Sequence, residues 1–298
     1  MKHIFIVNPT AGKSKPDEII TMINTICTTH KVEYEIIQTK YRKHATMIAS
    51  SFTTKDDVTL YCVGGDGTLS EVLNGIDPKV PMAVIPCGSG NDFYKMFEET
   101  PSPIKTIIEN TLFGSNAQID CGMANQKRFI NCFSTGLDAD VAEHAHQMLR
   151  EKKATKNMAY IKSALLHALK PKKLELVITL DEEIVEQNCL LVAVMNGRYY
   201  GGGFQPVENP SLQDGLLDVC VIDFIKSSKI FPLLAKFYQG KHTKLDICKI
   251  RQAKKITIES KDMLLMQCDG EAFYTNKVEL SCMKHQQTLR IPSHINYN

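Results

Sequence analysis

Apolar residues follow two different periods in the first 120 residues of the chain. Short apolar runs typical of buried strands occur at residues 3–7, 34–37, 58–63 and 82–85. Between them, apolar side chains such as Ile19, Ile23 and Ile26 recur at helical spacing. Further helices are expected to begin near His44 and Ser70. Strands that alternate with amphipathic helices predict a parallel sheet with helices on its faces.

After residue 120 the pattern changes to short strand-like segments with few helices between them. These segments are residues 128–133, 173–180, 189–195, 217–222, 255–258, 264–268 and 278–282. Helical intervals are expected only at residues 139–169 and 228–239. Such a run of strands predicts a mainly β sandwich. We therefore expect an α/β domain of residues 1–120 and a β-sandwich domain of residues 121–285, with residues 286–298 returning to the first domain as a strand and the active cleft between the domains.

Composition excludes several classes of protein. The 298 residues are 43% hydrophobic and 23% charged, unlike a collagenous, coiled-coil or disordered chain. The net charge of +2 gives no reason to expect a nucleic-acid partner. The ten cysteines contain no CxxC pair, so neither zinc-ribbon nor thioredoxin spacing is present, and reduced thiols are expected. No apolar run has the length of a signal peptide or a spanning helix, which predicts a cytoplasmic location.

The first loop with candidate chemistry follows the first predicted strand. Residues 8–14 contain Gly-Lys-Ser, as a Walker A sequence does, but that sequence requires a glycine where Val7 stands. Lys13 could still contact a phosphate as a point charge, or it could lie in solvent.

Two glycine-rich loops then follow neighbouring predicted strands. The first is Gly-Gly-Asp-Gly-Thr at residues 64–68, and the second is residues 86–93, which contain Gly-Ser-Gly-Asn-Asp. Glycines permit positive φ angles and a close backbone approach to a ligand, and a helix N-terminus behind them favours phosphate. Loops at the carboxyl ends of adjacent parallel strands line one crevice. Asp66 and Asp92 would then face one polyphosphate, which implies a bridging Mg²⁺ ion. The alternative for the first loop is a tight turn with a capping Asp.

GGDGTLSEVLNG and IPCGSGNDFYK resemble the catalytic domain of the diacylglycerol kinase family, which includes bacterial soluble lipid kinases and the sphingosine and ceramide kinases. Residues 196–203, 214–218 and 268–271 resemble segments of the family's second domain, in the same order. The resemblance implies transfer of the ATP γ-phosphoryl group to a lipid hydroxyl, most simply from diacylglycerol to phosphatidic acid. It places the nucleotide on the first domain and the acceptor in the interdomain cleft.

The resemblance also implies site residues. It places ATP against Asn8, Thr39, Gly64, Gly65, Asp66, Gly67, Thr68, Leu69, Ser70 and Ser89, where Ser replaces the Thr of most members. It places a hydrated Mg²⁺ near Asp66, Asp92 and Asp120, and a structural Mg²⁺ on Asp214 and the backbone oxygens of Ser211 and Leu216. Asp214-Gly215 is also a common hairpin dipeptide. Glu271 resembles the family's proton acceptor, although the residues alone would indicate a polar turn.

The sequence is also compatible with two other functions. An NAD kinase shares the Gly-Gly-Asp-Gly loop, but its Asn-Glu pair is not found here. A sensor that binds nucleotide or lipid without turnover is the other alternative.

The basic residues between 150 and 173 surround Met158, Ile161, Leu165 and Leu169, so this segment either docks on an anionic membrane or packs by its apolar stripe. Peripheral contact with the inner face of the membrane is therefore an expectation, and a homodimer is left open.

Overall fold

The computed structural model describes residues 1–12, 16–151 and 156–295, apart from the side chains of Lys156, Asn157 and Tyr238. The chain divides into two compact units. The first contains Met1–Cys121, Leu212–Asp214 and Met283–Asn298, and the second contains Gly122–Ser211 and Gly215–Cys282. The predicted division at residue 120 had not assigned residues 212–214 to the first unit. None of the described helices is long and apolar enough to cross a membrane.

The first unit alternates strands and helices. In chain order these are β1 (Lys2–Val7), α1 (Pro16–Thr29), β2 (Tyr34–Gln38), α2 (His44–Ser50), β3 (Val58–Gly64), α3 (Asp66–Leu73), β4 (Met82–Pro86), a 3₁₀ turn (Tyr94–Met96), α4 (Ile104–Leu112) and β5 (Ser115–Ala124). β1 pairs in parallel with β2 and β3, and β3 pairs in parallel with β4. β3 and β4 are buried along their whole length because helices cover the sheet. α4 and β5 were not predicted.

α3 begins at Asp66, four residues before the predicted start at Ser70. Gly65 is its N-cap in extended conformation, and the Leu69 amide already donates to the Gly65 carbonyl at 3.0 Å. The polar residues Asp66, Gly67 and Thr68 carry no apolar period, so the pattern indicated a loop where the first helical turn lies. The acidic side chain in that turn suits the positive end of the helix dipole.

The second unit begins within β5 and is rich in strands. In chain order its further elements are β6 (Lys127–Phe129), β7 (Cys132–Gly136), α5 (Leu137–Arg150), α6 (Lys156–Leu169), β8 (Leu174–Leu180), β9 (Glu183–Met195), β10 (Leu217–Asp223), α7 (Ser227–Tyr238), a 3₁₀ turn (Lys241–Lys244), β11 (Cys248–Ala253), β12 (Lys255–Cys268) and β13 (Glu271–Ile291). β13 continues into the first unit, where Leu289 pairs in parallel with Met82 of β4.

Two long strands close a ring of antiparallel pairs in the second unit. Residues 183–189 of β9 pair with β8, and residues 191–195 pair with β7. β12 does the same, pairing with β8 through residues 256–260 and with β7 through residues 266–268. The sequence pattern had predicted two strands in the β12 segment, because polar residues separate its two apolar runs. The structure has one strand instead, with a register shift between Glu259 and Leu264.

Helices cover one face of this β structure. The ring encloses apolar side chains that include Phe133, Leu176 and Val192. The alternate residues Ala193 and Met195 of β9 point to the other face, where they pack with apolar residues of α5, α6 and α7. Because successive side chains of a strand point to opposite faces, β9 contributes to both cores.

Candidate active site

The two glycine-rich loops of the first unit are packed backbone against backbone. A Cβ atom built on Gly88 would lie 2.4 Å from the Cα of Gly65, and the amide of Cys87 donates to the Gly64 carbonyl at 2.8 Å. The positive φ angles expected for these glycines are absent, since Gly64, Gly65 and Gly88 are not among the positive-φ residues of the described chain. Close approach of the two loops, rather than backbone handedness, therefore explains Gly65 and Gly88.

The loop after β1 joins the same assembly. The Asn8 side-chain amide donates to Thr68 Oγ1 at 2.8 Å, and its carbonyl oxygen accepts the backbone N–H of Thr10 at 3.0 Å. Gly12 has φ +67°, and a Cβ there would lie 2.1 Å from the Cys87 carbonyl oxygen. Three of the predicted nucleotide-binding loops thus contact one another. Lys13 lies outside the described residues.

The other predicted nucleotide residues take different positions. Thr39 follows β2, and its amide donates to the Val7 carbonyl at 2.9 Å, so it lies beside the end of β1. Ser89 and Gly67 are exposed. Leu69 and Ser70 are buried in α3, at 2% and 3% exposure, so their side chains are not open to a ligand.

Asp66 and Asp92 face a common space beside Gly90. A Cβ on Gly90 would lie 3.0 Å from Asp66 Oδ2 and 3.7 Å from Asp92 Oδ2. Burial raises the pKa of Asp66, and the negative charge of Asp92 raises it further. Asp66 Oδ1 accepts the Phe93 amide at 3.2 Å, and Lys95 Nζ donates to Asp92 Oδ1 at 2.6 Å. No sequence pattern had predicted a role for Lys95.

These groups fit a hard divalent cation. Carboxylate oxygens are the ligands that Mg²⁺ prefers, and the missing Cβ of Gly90 leaves room beside both Oδ2 atoms. Burial and the charge of Asp92 both raise the pKa of Asp66, which disfavours its ionised form. A bound cation would offset both effects.

Asp120 is fully buried in the first unit. Its Oδ1 accepts the His285 amide at 2.7 Å, and its own amide donates to the Leu212 carbonyl at 2.6 Å. Gln213 Nε2 also donates to the Gln118 carbonyl at 3.0 Å, so two contacts fix residues 212–213 against β5. Grouping of Asp120 with Asp66 and Asp92 stays a prediction.

The predicted structural magnesium loop crosses the boundary between the units. Asp214 belongs to the first unit and is exposed, whereas Ser211 and Leu216 belong to the second. Gly215 has φ +82°, as a turn requires. The ligand roles of Ser211, Asp214 and Leu216 stay a prediction.

Glu271, in the second unit, is the first residue of β13 and follows a two-residue hairpin turn. Asp269 and Gly270 in this turn have φ +45° and φ +81°, as a type I′ turn demands. Glu271 pairs across the hairpin with Cys268. Lys127 Nζ donates to Glu271 Oε2 at 2.7 Å and to the Cys268 carbonyl at 3.2 Å, so it holds the carboxylate against the turn.

Asp269 is a structural residue that the sequence analysis missed. Its two carboxylate oxygens accept the backbone N–H groups of Ile130, Asn131 and Cys132 at 2.9, 3.1 and 2.9 Å. Burial raises its pKa to about 6, although the three amides oppose the shift. Asp269 therefore fixes the turn that carries Glu271. The Asp-Gly dipeptide was the available signal, but it does not specify which amides a turn Asp binds.

Replacing Gly88 with Ala is expected to separate the two glycine-rich loops. The new Cβ would overlap the Gly65 backbone, which cannot rotate away as a side chain can. We expect a loss of about 1–3 kcal/mol in the free energy of unfolding, together with weaker nucleotide binding. Chemical denaturation and calorimetric titration with ATP would measure the two effects.

Gly67→Ala is the stability control for this change, because a Cβ on Gly67 would meet nothing within 4 Å and its backbone is helical. This variant should unfold at the same denaturant concentration as the wild type or a higher one. If Gly88→Ala were as stable as Gly67→Ala, the packed contact between the loops would be wrong.

The stability of the second unit is expected to depend on two buried carboxyls. Burial raises the pKa values of Asp269 and Asp138 to about 6. Between about pH 4 and 6 the folded protein therefore keeps protons that the unfolded chain has lost, so the free energy of unfolding falls as pH rises through this window. Asp269→Asn should flatten this decrease by at most about 3 kcal/mol, since one pKa unit corresponds to about 1.4 kcal/mol.

Denaturant unfolding at several pH values measures the effect. Asp181→Asn is a matched control, because Asp181 also has a positive φ, +52°, and accepts the backbone N–H groups of Lys254 and Lys255, but is exposed. An equal change of slope in both variants would contradict the buried-carboxyl explanation.

Comparison with known proteins identifies the family. The model described as "Diacylglycerol kinase catalytic domain" matches residues 2–124, and the model described as "YegS C-terminal NAD kinase beta sandwich-like domain" matches residues 131–289. The chain therefore belongs to the diacylglycerol kinase family and is a phosphotransferase with an alcohol acceptor. Both the resemblance and the class of enzyme predicted from the sequence are confirmed.

Named relatives are similar over nearly the whole chain. A protein of Staphylococcus epidermidis (strain ATCC 35984) named diacylglycerol kinase is 27% identical, and the alignment covers 96% of this chain and 90% of that one. A protein of Staphylococcus saprophyticus with the same name is also 27% identical, and the alignment covers 89% of this chain and 87% of that one. The crystal structure of a diacylglycerol kinase from Bacillus anthracis str. Sterne covers 99% of this chain and 98% of its own, with a TM-score of 0.75 and 24% identity, which shows the fold alone.

Proposed function

We propose that this protein is an ATP- and Mg²⁺-dependent lipid kinase whose acceptor is the hydroxyl of diacylglycerol. The observation that carries the proposal is the packing of Gly65 against Gly88, which brings Asp66 and Asp92 to the same space beside Gly90. The names of the staphylococcal relatives support the choice of a lipid acceptor.

The first unit supplies the phosphate-binding surface in this proposal. Gly67, in the first turn of α3, is exposed, and helix N-termini bind phosphate through unpaired N–H groups and the helix dipole. Asn8 fixes the Thr68 side chain, which joins the loop after β1 to this turn. Mg²⁺ held by Asp66 and Asp92 would neutralise charge on the transferring phosphoryl group. Lys95 keeps Asp92 in place through its ion pair.

Glu271 has the role of proton acceptor in the proposal. The lipid hydroxyl oxygen bonds to the γ-phosphorus while the bond from that phosphorus to the β–γ bridging oxygen breaks, so ADP leaves. The hydroxyl proton passes to the Glu271 carboxylate as the new bond forms. Lys127 and the turn anchored by Asp269 fix the position of this carboxylate. A carboxylate held in place loses little conformational entropy when the alcohol binds.

An acceptor screen tests the function. Purified protein is incubated with γ-labelled ATP, Mg²⁺ and mixed micelles that contain diacylglycerol, a sphingoid base or a polyprenyl alcohol, with NAD⁺ in a separate reaction. We expect label in phosphatidic acid and its loss when EDTA removes the metal. Label on NAD⁺ with none in lipid would favour the NAD kinase alternative. Binding of ATP without transfer to any acceptor would favour the sensor.

Contact with a membrane surface is part of the proposal, and α6 is the element that supports it. Five apolar side chains of α6 are 47–62% exposed, and we call them the apolar face of α6: Met158, Ile161, Leu165, Leu166 and Leu169. The helix packs instead through the small residues Ala159, Ser163 and Ala168, which are fully buried. The expected alternative, packing by the apolar stripe, therefore does not describe these side chains.

The basic residues near α6 support membrane contact less strongly. Arg150, Lys172 and Lys173 form ion pairs with Glu143, Asp140 and Glu175. Lys152 and Lys153 lie outside the described residues, while Lys162 and Lys170 are exposed at the apolar face. We therefore assign most of the membrane affinity to apolar insertion and a smaller part to attraction by anionic lipid.

Vesicle sedimentation tests this surface. The double variant Ile161→Ser with Leu165→Ser should bind vesicles of phosphatidylglycerol and phosphatidylcholine at least about tenfold more weakly than wild type. Ile184→Ser is the matched control, because Ile184 is 68% exposed on β9 and outside the apolar face of α6. Unchanged binding by the double variant would contradict the assignment. A dimer in wild type that the double variant loses, without vesicle binding by either, would make this face a homodimer interface instead.

A further inference from the structure

Two cysteines and a histidine of the second unit lie together, and none of the three is assigned to the kinase reaction. Cys220 is in the middle of β10, Cys248 begins β11, and His242 is in the 3₁₀ turn between α7 and β11. The two Sγ atoms are 3.8 Å apart, and one ligand atom of each residue lies within 4.8 Å of the others. Cys220 and His242 are fully buried, and Cys248 is half-buried.

His242 has the hydrogen bonding of a metal ligand. Its Nε2 lies 3.1 Å from the Pro206 carbonyl oxygen and can donate to it. Its Nδ1 is buried and makes no hydrogen bond of good geometry among the described residues, although the Lys236 backbone carbonyl lies near the ring. A histidine that binds metal through one ring nitrogen commonly donates the other N–H to a backbone carbonyl, which fixes the tautomer. A buried ring nitrogen without a well-formed hydrogen bond is available to a metal ion.

The spacing of the sulfurs matches zinc coordination. Sulfur ligands about 2.3 Å from a tetrahedral zinc ion lie about 3.8 Å from each other, which is the separation found here. A disulfide would need the same atoms at about 2.05 Å. The two sulfurs would therefore keep their present separation when both bind one ion.

We propose that Cys220, His242 and Cys248 bind a thiophilic divalent metal ion of the zinc class, with solvent as the fourth ligand on the Cys248 side. The ion would tie the connection between α7 and β11 to β10 and so stabilise this edge of the β structure. The proposal does not depend on the identity of the lipid acceptor. No short Cys-Cys spacing reveals this site in the sequence, because its ligands are 22 and 6 residues apart.

Cobalt titration tests the site. Protein stripped of metal and kept reduced is titrated with Co²⁺ in excess Mg²⁺, so that carboxylate sites are already filled. We expect one equivalent to produce thiolate-to-cobalt charge-transfer absorption and the strong visible bands of tetrahedral Co²⁺, and Zn²⁺ to displace both. Cys220→Ser, Cys248→Ser and His242→Ala should each weaken binding at least about tenfold. Cys189→Ser, a buried cysteine of β9 outside the cluster, is the matched control and should bind as wild type does.

A second measurement uses only the wild-type protein, in case a variant does not fold. Zn²⁺ should slow the alkylation of Cys248, identified by peptide mass spectrometry, and should raise the unfolding temperature of the whole chain. No charge-transfer absorption in folded, reduced wild type would overturn the proposal. Binding as tight as that of wild type by both Cys220→Ser and Cys248→Ser, or a Cys220–Cys248 disulfide that Zn²⁺ does not prevent, would also overturn it.

Discussion

Replacing Glu271 with Gln should lower kcat for lipid phosphorylation by about 10²- to 10⁴-fold, the range expected when a general base is lost. Gln has nearly the same shape and can still contact Lys127, but it cannot accept the hydroxyl proton. Because the proposal gives Glu271 a contact with the lipid hydroxyl and none with ATP, ATP binding should change little. Initial rates at saturating lipid, together with calorimetric titration with ATP, would separate the two quantities.

Glu259→Gln is the matched control, since Glu259 also forms an ion pair with a lysine, Lys277, at 3.0 Å within the same unit. It should leave kcat unchanged. If Glu271→Gln retained wild-type kcat, Glu271 would not be the proton acceptor, and the proposed kinase activity itself could still stand. Loss of phosphoryl transfer in both variants would indicate that removing an ion pair from this unit lowers kcat in general.

Replacing Asp66 with Asn should weaken metal-dependent ATP binding and lower transfer by about 10²- to 10³-fold, because an electrostatic contact to the transferring group is lost. The folded protein should not become less stable. Burial and the Asp92 charge both raise the pKa of Asp66, so the ionised group is unfavourable when no cation is bound, and a neutral amide relieves that cost. Asn can also keep the hydrogen bond from the Phe93 amide.

ATP titrations with and without Mg²⁺ and denaturant unfolding measure both halves of this prediction. Asp262→Asn, at an exposed position of β12, is the control and should match wild type in both. Unchanged transfer by Asp66→Asn would remove Asp66 from the site. A large loss of stability would instead assign this carboxylate a structural role.

The local pattern was sufficient to locate the candidate loops. β1, β3 and β4 were predicted because their apolar runs are continuous, and the polar glycine-rich segments after them marked the loops. The start of α3 was placed four residues too late because its first turn carries no apolar residue. β5 and α4 were missed, although α4 buries Ile107, Ile108 and Leu112.

The sequence by itself determined the family, the class of reaction and the loops that hold Asp66 and Asp92, since these depend on residue types at short spacing. Only the tertiary structure decided that Gly65 touches Gly88, that Asp269 holds the Glu271 turn, and that Cys220, His242 and Cys248 meet. Most of these contacts join segments more than twenty residues apart in the sequence. His242 and Cys248 are nearer in the sequence but lie in different secondary-structure elements. Such contacts depend on strand order and register, which a local pattern of apolar and polar residues does not specify.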